Sequence, residues 1–132
     1  MQLLCLGLNH KTAPLAVRER VAFGPEDTGE TVALIKTRLA SADAGGVSEA
    51  MILSTCSRTE IYCAAVDPKR AADSVLELIE ELKGVRTTDQ QPHVYVYEQS
   101  EAARHVFRVV SGIDSMVLGE TQIVGQFKKA VA

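Results

Sequence analysis

The sequence lacks any long apolar run, and this absence limits where the protein can reside. No stretch approaches the length of about 20 apolar residues that spans a bilayer. At the start, Met1-Gln2 supplies no basic region, and the polar segment Asn9-His10-Lys11 ends the leading apolar stretch early. A signal peptide would begin with a basic region followed by a longer apolar segment, so this start does not resemble one. The sequence therefore predicts a protein that neither spans a membrane nor is secreted.

Cysteine is scarce and forms no binding pattern. The chain has 3 cysteines, an odd number without the spacing of a disulfide framework. It has neither Cys-x-x-Cys nor His-x-x-x-His, the close spacings typical of metal sites. Free thiols are typical of a reducing compartment. We therefore expect a cytoplasmic protein without a metal site.

Two further absences concern nucleotides and nucleic acids. No Gly-x-Gly-x-x-Gly segment follows a predicted strand, so we expect this chain itself to bind no dinucleotide cofactor. The net charge of −3 provides no overall basic surface for phosphates. If an RNA is a partner, we expect only a small part of this chain to contact it.

What the chain does contain is typical of one globular domain with an α+β fold. Its 132 residues suffice for a single core, and 46% of them are hydrophobic. Apolar periodicity predicts strands over residues 2–9, 47–53, 60–66 and 93–97, and helices from Pro14 towards Val21, from Pro25 to about Ala40 and from Pro68 to Gly84. This order of elements is that of the ferredoxin-like split βαβ sandwich.

The residues after 98 predict additional C-terminal helices. One helix begins at Ser100, and a further helical pattern begins near Gly119 and has no stop signal at the end of the chain. The residues of the first helix that we expect to face the core are Ala103, Val106, Phe107 and Val110. We predict a ferredoxin-like core over residues 1–98 and a helical extension of the same domain over 99–132. We also expect the chain to be the N-terminal piece of a longer protein.

The connection between the second and third predicted strands concentrates reactive groups in the hexapeptide Thr55-Cys56-Ser57-Arg58-Thr59-Glu60. A thiol in a loop can be a nucleophile, and a nearby arginine favours its thiolate and can bind an anion through a planar fork. Cys5 and Cys63 lie in apolar runs, and we interpret them as small buried residues. The residues alone leave open whether Cys56 is functional or structural.

Two other features could belong to a site. His105 lies beside the apolar stripe of the helix that begins at Ser100, either as a structural histidine or as a base or hydrogen-bond donor that works with Cys56. Residues 111–126 interrupt an apolar run with glycines and polar side chains. These could bind an amino group or a ribose, or could simply connect two helices.

Three segments of the chain match the pattern of one family, in order. They are Asn9-His10-Lys11-Thr12-Ala13-Pro14 with Arg18-Glu19-Arg20, the hexapeptide around Cys56, and residues 111–126 followed by Lys128 and Ala130. Together they resemble the N-terminal catalytic domain of the glutamyl-tRNA reductases, and the resemblance covers essentially the whole chain. Two positions depart from the usual pattern, because Ser57 replaces Asn and Thr121 replaces Pro.

The resemblance implies a reaction. In this family a cysteine thiolate attacks the ester carbonyl of glutamyl-tRNA, and hydride from NADPH reduces the resulting thioester to glutamate-1-semialdehyde, the first step of tetrapyrrole synthesis by the C5 pathway. Cys56 matches the nucleophile, and His105 matches the histidine that activity requires. The residues that match substrate contacts are Thr55, Ser57, Arg58, Ser115, Glu120, Thr121, Gln122 and Gln126.

The resemblance also implies partners. The NADPH-binding and dimerisation domains of the family would follow this chain, so we expect the fragment to bind no cofactor, to be monomeric and to lack the reduction step. The full-length protein would be an NADPH-dependent homodimer. Its expected partners are glutamyl-tRNA and the aminomutase that takes the semialdehyde. Two rival functions stay open, a non-catalytic ferredoxin-like binding module and a stand-alone thiol-dependent esterase.

Overall fold

A computed structural model describes residues 1–110 as an α+β domain. Its strands are β1 (Gln2–Asn9), β2 (Val47–Ser54), β3 (Arg58–Ala65) and β4 (Tyr95–Glu98). Its helices are α1 (Leu15–Val21), α2 (Pro25–Arg38), α3 (Pro68–Lys83), α4 (Thr87–Gln90) and α5 (Ser100–Val110). None of these helices combines the length and apolar character needed to cross a membrane.

The strands form one antiparallel sheet in the order β2-β3-β1-β4. The connection from β1 to β2 through α1 and α2 skips the position of β3, and the connection from β3 to β4 through α3 skips that of β1. These two skipped positions define the split βαβ arrangement. The predicted ferredoxin-like α+β fold is therefore confirmed.

Helices cover both faces of the sheet. Because side chains alternate along a strand, Leu4 and Leu6 of β1 face α2 and α3 in the larger apolar core, while Cys5 faces the opposite side. On that second face Cys5 packs in one cluster with Ala102 and Val109 of α5. The second face is therefore a closed layer between the sheet and α5, and it contains the polar groups described below.

The bounds of α3 follow from explicit start and stop signals. The Asp67 side chain accepts a hydrogen bond from the Arg70 N–H at 3.2 Å, and Pro68 occupies the first turn. Gly84 ends the helix with φ of +69°, a left-handed conformation that glycine adopts without strain. These signals were in the sequence, and the predicted span of this helix is confirmed.

The predicted buried face of α5 is wrong in part, although Val106 does pack against the apolar cluster beneath the helix. Ala102, His105 and Val109 are buried, whereas Phe107, which we expected to face the core, is 76% exposed. With this face inward, the imidazole of His105 contacts Glu60 within the layer. Apolar periodicity selected the face with the larger apolar side chains. It carries no information about the polar contact between His105 and Glu60.

Three predicted bounds also shift, and one of them is the fourth strand, which is Tyr95–Glu98 rather than residues 93–97. The third strand begins at Arg58 rather than at residue 60, so half of the reactive hexapeptide lies in β3 and only residues 55–57 form the turn. The predicted polar loop over residues 87–92 contains α4 and part of a 3₁₀ turn, Gln91–His93. The buried Gln90 fixes that segment, because its Nε2 donates to the Val85 carbonyl oxygen at 3.0 Å.

Candidate active site

The hairpin turn between β2 and β3 presents Cys56 to solvent. The strands are paired as far as Ser54 opposite Thr59, and the Thr55 N–H donates to the Arg58 carbonyl oxygen at 2.8 Å. Cys56 lies beyond this closing hydrogen bond and is exposed. A rigid pair of strands therefore holds the predicted nucleophile at an open end of the sheet.

The hydroxyl groups on either side of the thiol shape this turn. The Ser57 N–H donates to Thr55 Oγ1 at 3.2 Å, and the two side-chain oxygens lie 3.1 Å apart. Both residues are buried, unlike Cys56 between them. Short polar side chains stabilise turns through such local hydrogen bonds. Their predicted contact with a substrate stays a prediction.

A residue from α1 also holds the turn. Nη1 of Arg18 donates to the carbonyl oxygen of Cys56 at 2.7 Å, across 38 positions of sequence. The contact fixes the peptide that carries the thiol and places a cation beside it. In the sequence, Arg18 was only part of a matching segment, and no local signal places it at the turn. The packing of α1 decides this contact.

Behind the turn, β3 directs charged side chains into the closed layer beneath α5. Arg58 and Glu60 are two positions apart and therefore share one face of the strand, and both are fully buried. Gly7 lies opposite Glu60 in β1, where an added Cβ would lie 2.8 Å from Glu60 Cγ. The absence of a side chain at Gly7 therefore leaves room for the carboxylate. The sequence pattern predicts Arg58 in the loop, whereas it begins β3 and is fully buried.

The carboxylate of Glu60 is the centre of a hydrogen-bond network. The Tyr62 hydroxyl donates to Oε1 at 3.0 Å, and the Tyr95 hydroxyl donates to Oε2 at 2.5 Å. Nη1 of Arg58 also donates to Oε2, at 3.4 Å, and Nε2 of His105 contacts the same oxygen. The network joins β3, β4 and α5.

The network keeps Glu60 ionised. Burial alone would raise the pKa of Glu60, but the hydrogen bond and charge interaction with His105, supported by Tyr95 and Arg58, outweigh it and lower that pKa. Burial and then the neighbouring carboxylate raise the pKa of Tyr95 well above its ordinary value. The phenol therefore stays protonated as a donor. The layer contains an anion surrounded by donors.

His105 lies within this layer and is only 2% exposed. Its ring centroid is 5.3 Å from that of Tyr95 and 4.8 Å from that of Tyr97. The described geometry connects His105 to the hairpin through Glu60. The role of His105 as a base or hydrogen-bond donor that works with Cys56 stays a prediction.

The buried layer contains a set of possible metal ligands. Cys5, Glu60 and His105 offer ligand atoms that all lie within 4.8 Å of one another. Metal binding requires a thiolate, yet burial, followed by the charge of Glu60, raises the pKa of the Cys5 thiol well above its ordinary value. Tyrosine hydroxyls also donate to the carboxylate. A protonated Cys5 thiol and the hydroxyl donors around Glu60 therefore favour a hydrogen-bond network over a bound metal at this site. The expected absence of a metal stays a prediction.

The sequence places Glu60 in the reactive hexapeptide without a role of its own, and it gives Tyr95 no role. For Glu60 a signal existed, because Arg58, Glu60 and Tyr62 alternate with Thr59 and Ile61 and so share one strand face. No sequence signal pairs Tyr95 with that face, since the pairing depends on β4 joining β1. Some predicted substrate-binding residues lie outside the described residues, namely Ser115, Glu120, Thr121, Gln122 and Gln126.

Comparison with known proteins gives consistent matches. The family model for the glutamyl-tRNAGlu reductase N-terminal domain matches residues 6–132. Among solved structures, the chain is similar to glutamyl-tRNA reductase from Methanopyrus kandleri, with 31% sequence identity and a TM-score of 0.68. The match covers 98% of this chain and 27% of that protein, so the chain spans about a quarter of the length of the solved reductase.

Proposed function

The chain belongs to the glutamyl-tRNA reductase family, whose N-terminal domain it matches, and we propose on this basis that it performs the thioester-forming step of that reaction. Within the chain, we propose a ferredoxin-like catalytic core over residues 1–98 and a helical extension of the same domain over 99–132. The substrate is glutamyl-tRNA, and the overall product is glutamate-1-semialdehyde.

In the proposed step, Sγ of the Cys56 thiolate attacks the ester carbonyl carbon that links glutamate to the tRNA. The new carbon–sulfur bond replaces the carbon–oxygen bond to the terminal ribose, whose oxygen leaves and takes up a proton. The glutamyl group then remains on the protein as a thioester. Covalent catalysis of this kind divides one difficult reduction into two easier steps.

The observation that carries this proposal is the different placement of the cysteines. Cys56 is exposed at a turn that Arg18 holds, whereas Cys5 and Cys63 are buried. Burial raises the pKa of Cys63 to about 12, so its thiol is protonated at neutral pH. A nucleophilic thiolate that meets a macromolecular ester must be accessible, and Cys56 is the cysteine whose side chain meets that condition.

Other groups have proposed roles in the same step. The guanidinium of Arg58 is proposed to read the substrate's side-chain carboxylate, which distinguishes glutamate from glutamine. Because Arg58 is fully buried, that carboxylate would have to enter the layer behind the turn. His105 is proposed to act in the transfer as base or hydrogen-bond donor. Thr55 and Ser57 are proposed to contact the substrate at the turn. The same role is proposed for Ser115, Glu120, Thr121, Gln122 and Gln126, which lie outside the described residues.

The reduction step needs hydride, which NADPH would supply. The chain has no Gly-x-Gly-x-x-Gly segment, so we propose that a following domain of the longer protein binds this cofactor. The full-length enzyme would be a cytoplasmic homodimer, and an aminomutase would take its aldehyde product. In that arrangement this chain alone forms the thioester, and water then hydrolyses it to release glutamate.

The test mixes the chain with tRNA charged with radiolabelled glutamate, quenches in acid and measures label bound to protein. The proposal predicts label that hydroxylamine removes, which Cys56→Ser abolishes and the matched buried-cysteine variant Cys63→Ala retains. A blank without protein measures spontaneous hydrolysis of the ester.

The rivals predict other results. Binding of tRNA with neither label nor faster deacylation, in the wild type as in Cys56→Ser, would contradict the proposal and favour a binding module. Equal turnover of simple esters that lack glutamate and tRNA would favour a thiol-dependent esterase.

A further inference from the structure

A single carboxylate oxygen connects the two groups that the proposed function places behind the thiol. Oε2 of Glu60 receives Nη1 of Arg58 from its own strand and contacts Nε2 of His105 from α5. The Tyr95 hydroxyl from β4 donates to the same oxygen at 2.5 Å. Three elements thus meet at one atom, two of them through residues that lie 35 and 45 positions from Glu60 along the chain. Only Ser57 separates Arg58 from Cys56.

The fold makes specific room for this carboxylate. Burying a charge is costly unless it is paired and hydrogen-bonded, and Glu60 is fully buried with donors on both oxygens. The backbone opposite it is Gly7, where a Cβ would meet the Thr59 carbonyl oxygen at 2.6 Å and Glu60 Cγ at 2.8 Å. An apolar side chain would fill an ordinary sheet–helix layer without such an arrangement.

We propose that Glu60 is a positioning residue: its carboxylate holds the Arg58 guanidinium and the His105 imidazole in fixed places behind the Cys56 turn. This inference rests on the proposed function. Glu60 touches no reacting atom, but it sets both the rate of acyl transfer to Cys56 and the preference for a glutamyl over a glutaminyl group. Tyr95 assists by orienting Oε2.

The physical reason is geometric. A guanidinium distinguishes a carboxylate from an amide only when its planar fork faces the substrate at a fixed angle. An imidazole contributes to proton transfer only when the correct nitrogen faces the reacting group, and the partner of the other nitrogen sets that orientation. Displacement of about 1 Å can cost about 100-fold in rate. One shared carboxylate imposes both conditions.

Two neighbouring tyrosines provide a matched test. Tyr95 and Tyr97 both place their rings against His105, with centroids 5.3 Å and 4.8 Å away. Of these two tyrosines, Tyr95 donates its hydroxyl to Glu60, while within residues 1–110 the Tyr97 hydroxyl has no such bond to that carboxylate. Tyr95→Phe therefore removes one hydrogen bond from Oε2 and keeps the ring, and Tyr97→Phe controls for loss of a hydroxyl in the same layer.

The experiment measures the rate constant of label transfer from glutamyl-tRNA to Cys56, and the same rate with glutaminyl-tRNA made on the same tRNA. We expect Glu60→Gln to slow glutamyl transfer about 100-fold and Tyr95→Phe about tenfold, with Tyr97→Phe near wild type. The ratio of glutamyl to glutaminyl rates should fall in the two affected variants. A merely structural role would not change this ratio in a variant that denaturant unfolding shows to be folded.

A second measurement is independent of activity. The ring N–H of His105 that contacts a carboxylate should give a far-downfield proton signal, assigned by its loss in His105→Gln. The signal should move in Tyr95→Phe, disappear in Glu60→Gln and stay in Tyr97→Phe.

The outcomes separate this inference from the function on which it rests. Wild-type label without any effect of Glu60→Gln or Tyr95→Phe on rate or ratio would overturn the positioning role and leave the thioester step intact. Equal losses in Tyr95→Phe and Tyr97→Phe would also overturn it. If the wild type forms no thioester, the proposed function fails. The His105 signal then decides the positioning contact, and its absence or its persistence in Glu60→Gln would overturn the inference.

Discussion

At the scale of the residue, burial gives each polar side chain its chemical character. Glu60 and Glu81 are both glutamates with a cationic neighbour, yet Glu60 is enclosed and Glu81 pairs with Arg38 on the surface. Solvent screens the exposed pair and weakens its contribution to stability. The buried carboxylate has no such screening. We therefore expect the free energy of unfolding to depend on pH through Glu60 but hardly through Glu81.

Glu60 should make the folded chain sensitive to acid. Its pKa is lowered from the ordinary value of 4.5, so its stabilisation is fully present above that value and is lost as pH falls through the folded-state pKa. Glu60→Gln should lower the free energy of unfolding by up to about 3 kcal/mol at pH 7. The difference from wild type should shrink steadily below pH 4.5. Denaturant unfolding at several pH values measures both quantities.

Glu81→Gln is the control for this prediction. The pKa of Glu81 is also lowered, by its hydrogen bond and charge interaction with Arg38, but the pair is exposed. We expect its unfolding free energy to follow the wild type closely at every pH. A constant gap between wild type and Glu60→Gln down to strongly acidic pH would contradict the assignment of an ionised buried carboxylate.

At the scale of the element, the orientation of α5 connects the fold to the candidate site. The helix buries Ala102 and Val109 and inserts His105 between them, so its inner face is partly polar. Its outer face carries Phe107, which is exposed. Rotation of the helix towards the predicted apolar face would remove His105 from Glu60.

The rotation of α5 can be tested by a pair of substitutions. Val109→Ala should lower the free energy of unfolding by roughly 2 kcal/mol, because it removes two methyl groups that are 1% exposed. Phe107→Ser should change it by less than about 0.5 kcal/mol, since that ring is 76% exposed. Chemical denaturation of both variants measures the difference. The reverse order would restore the face predicted from periodicity.

At the scale of the whole molecule, the chain is a layered structure in which each cysteine has a different position. Cys63 lies in the core between the sheet and the helices α2 and α3, and Cys5 lies between the sheet and α5. Cys56 lies outside both layers, at the hairpin turn. The thiols therefore report separately on the two layers and on the candidate site.

Alkylation should distinguish these thiols in one experiment. Iodoacetamide at neutral pH should modify Cys56 in the folded chain and spare Cys5 and Cys63, whose pKa values are raised by burial. Increasing denaturant should expose both buried thiols at the same concentration, because small single domains unfold cooperatively. Peptide mass spectrometry identifies each modified residue. Modification of Cys5 at lower denaturant than Cys63 would show that the α5 layer opens by itself.

Local sequence patterns were enough to predict the order of the strands and main helices and the identity of the reactive turn, whereas α4 lies in a segment predicted to be a loop. Local signals control these features: the alternation of β1, the Asp67 cap and Gly84 stop of α3, and the polar residues that interrupt two strands around Cys56. Such signals act over a few residues, so they can be recognised along the chain. The resemblance of three segments added the family, which the comparisons show.

The contacts between distant side chains depend on how the elements pack together. Arg18 reaches the Cys56 carbonyl across 38 positions, and His105 reaches Glu60 across 45. Sequence patterns record apolar periodicity but not the partner of a buried charge, so they misplaced the inner face of α5 and gave Glu60 no role. A buried carboxylate must be surrounded by donors from whichever elements the fold brings near it, and that requirement is fulfilled only when the sheet and α5 have come together.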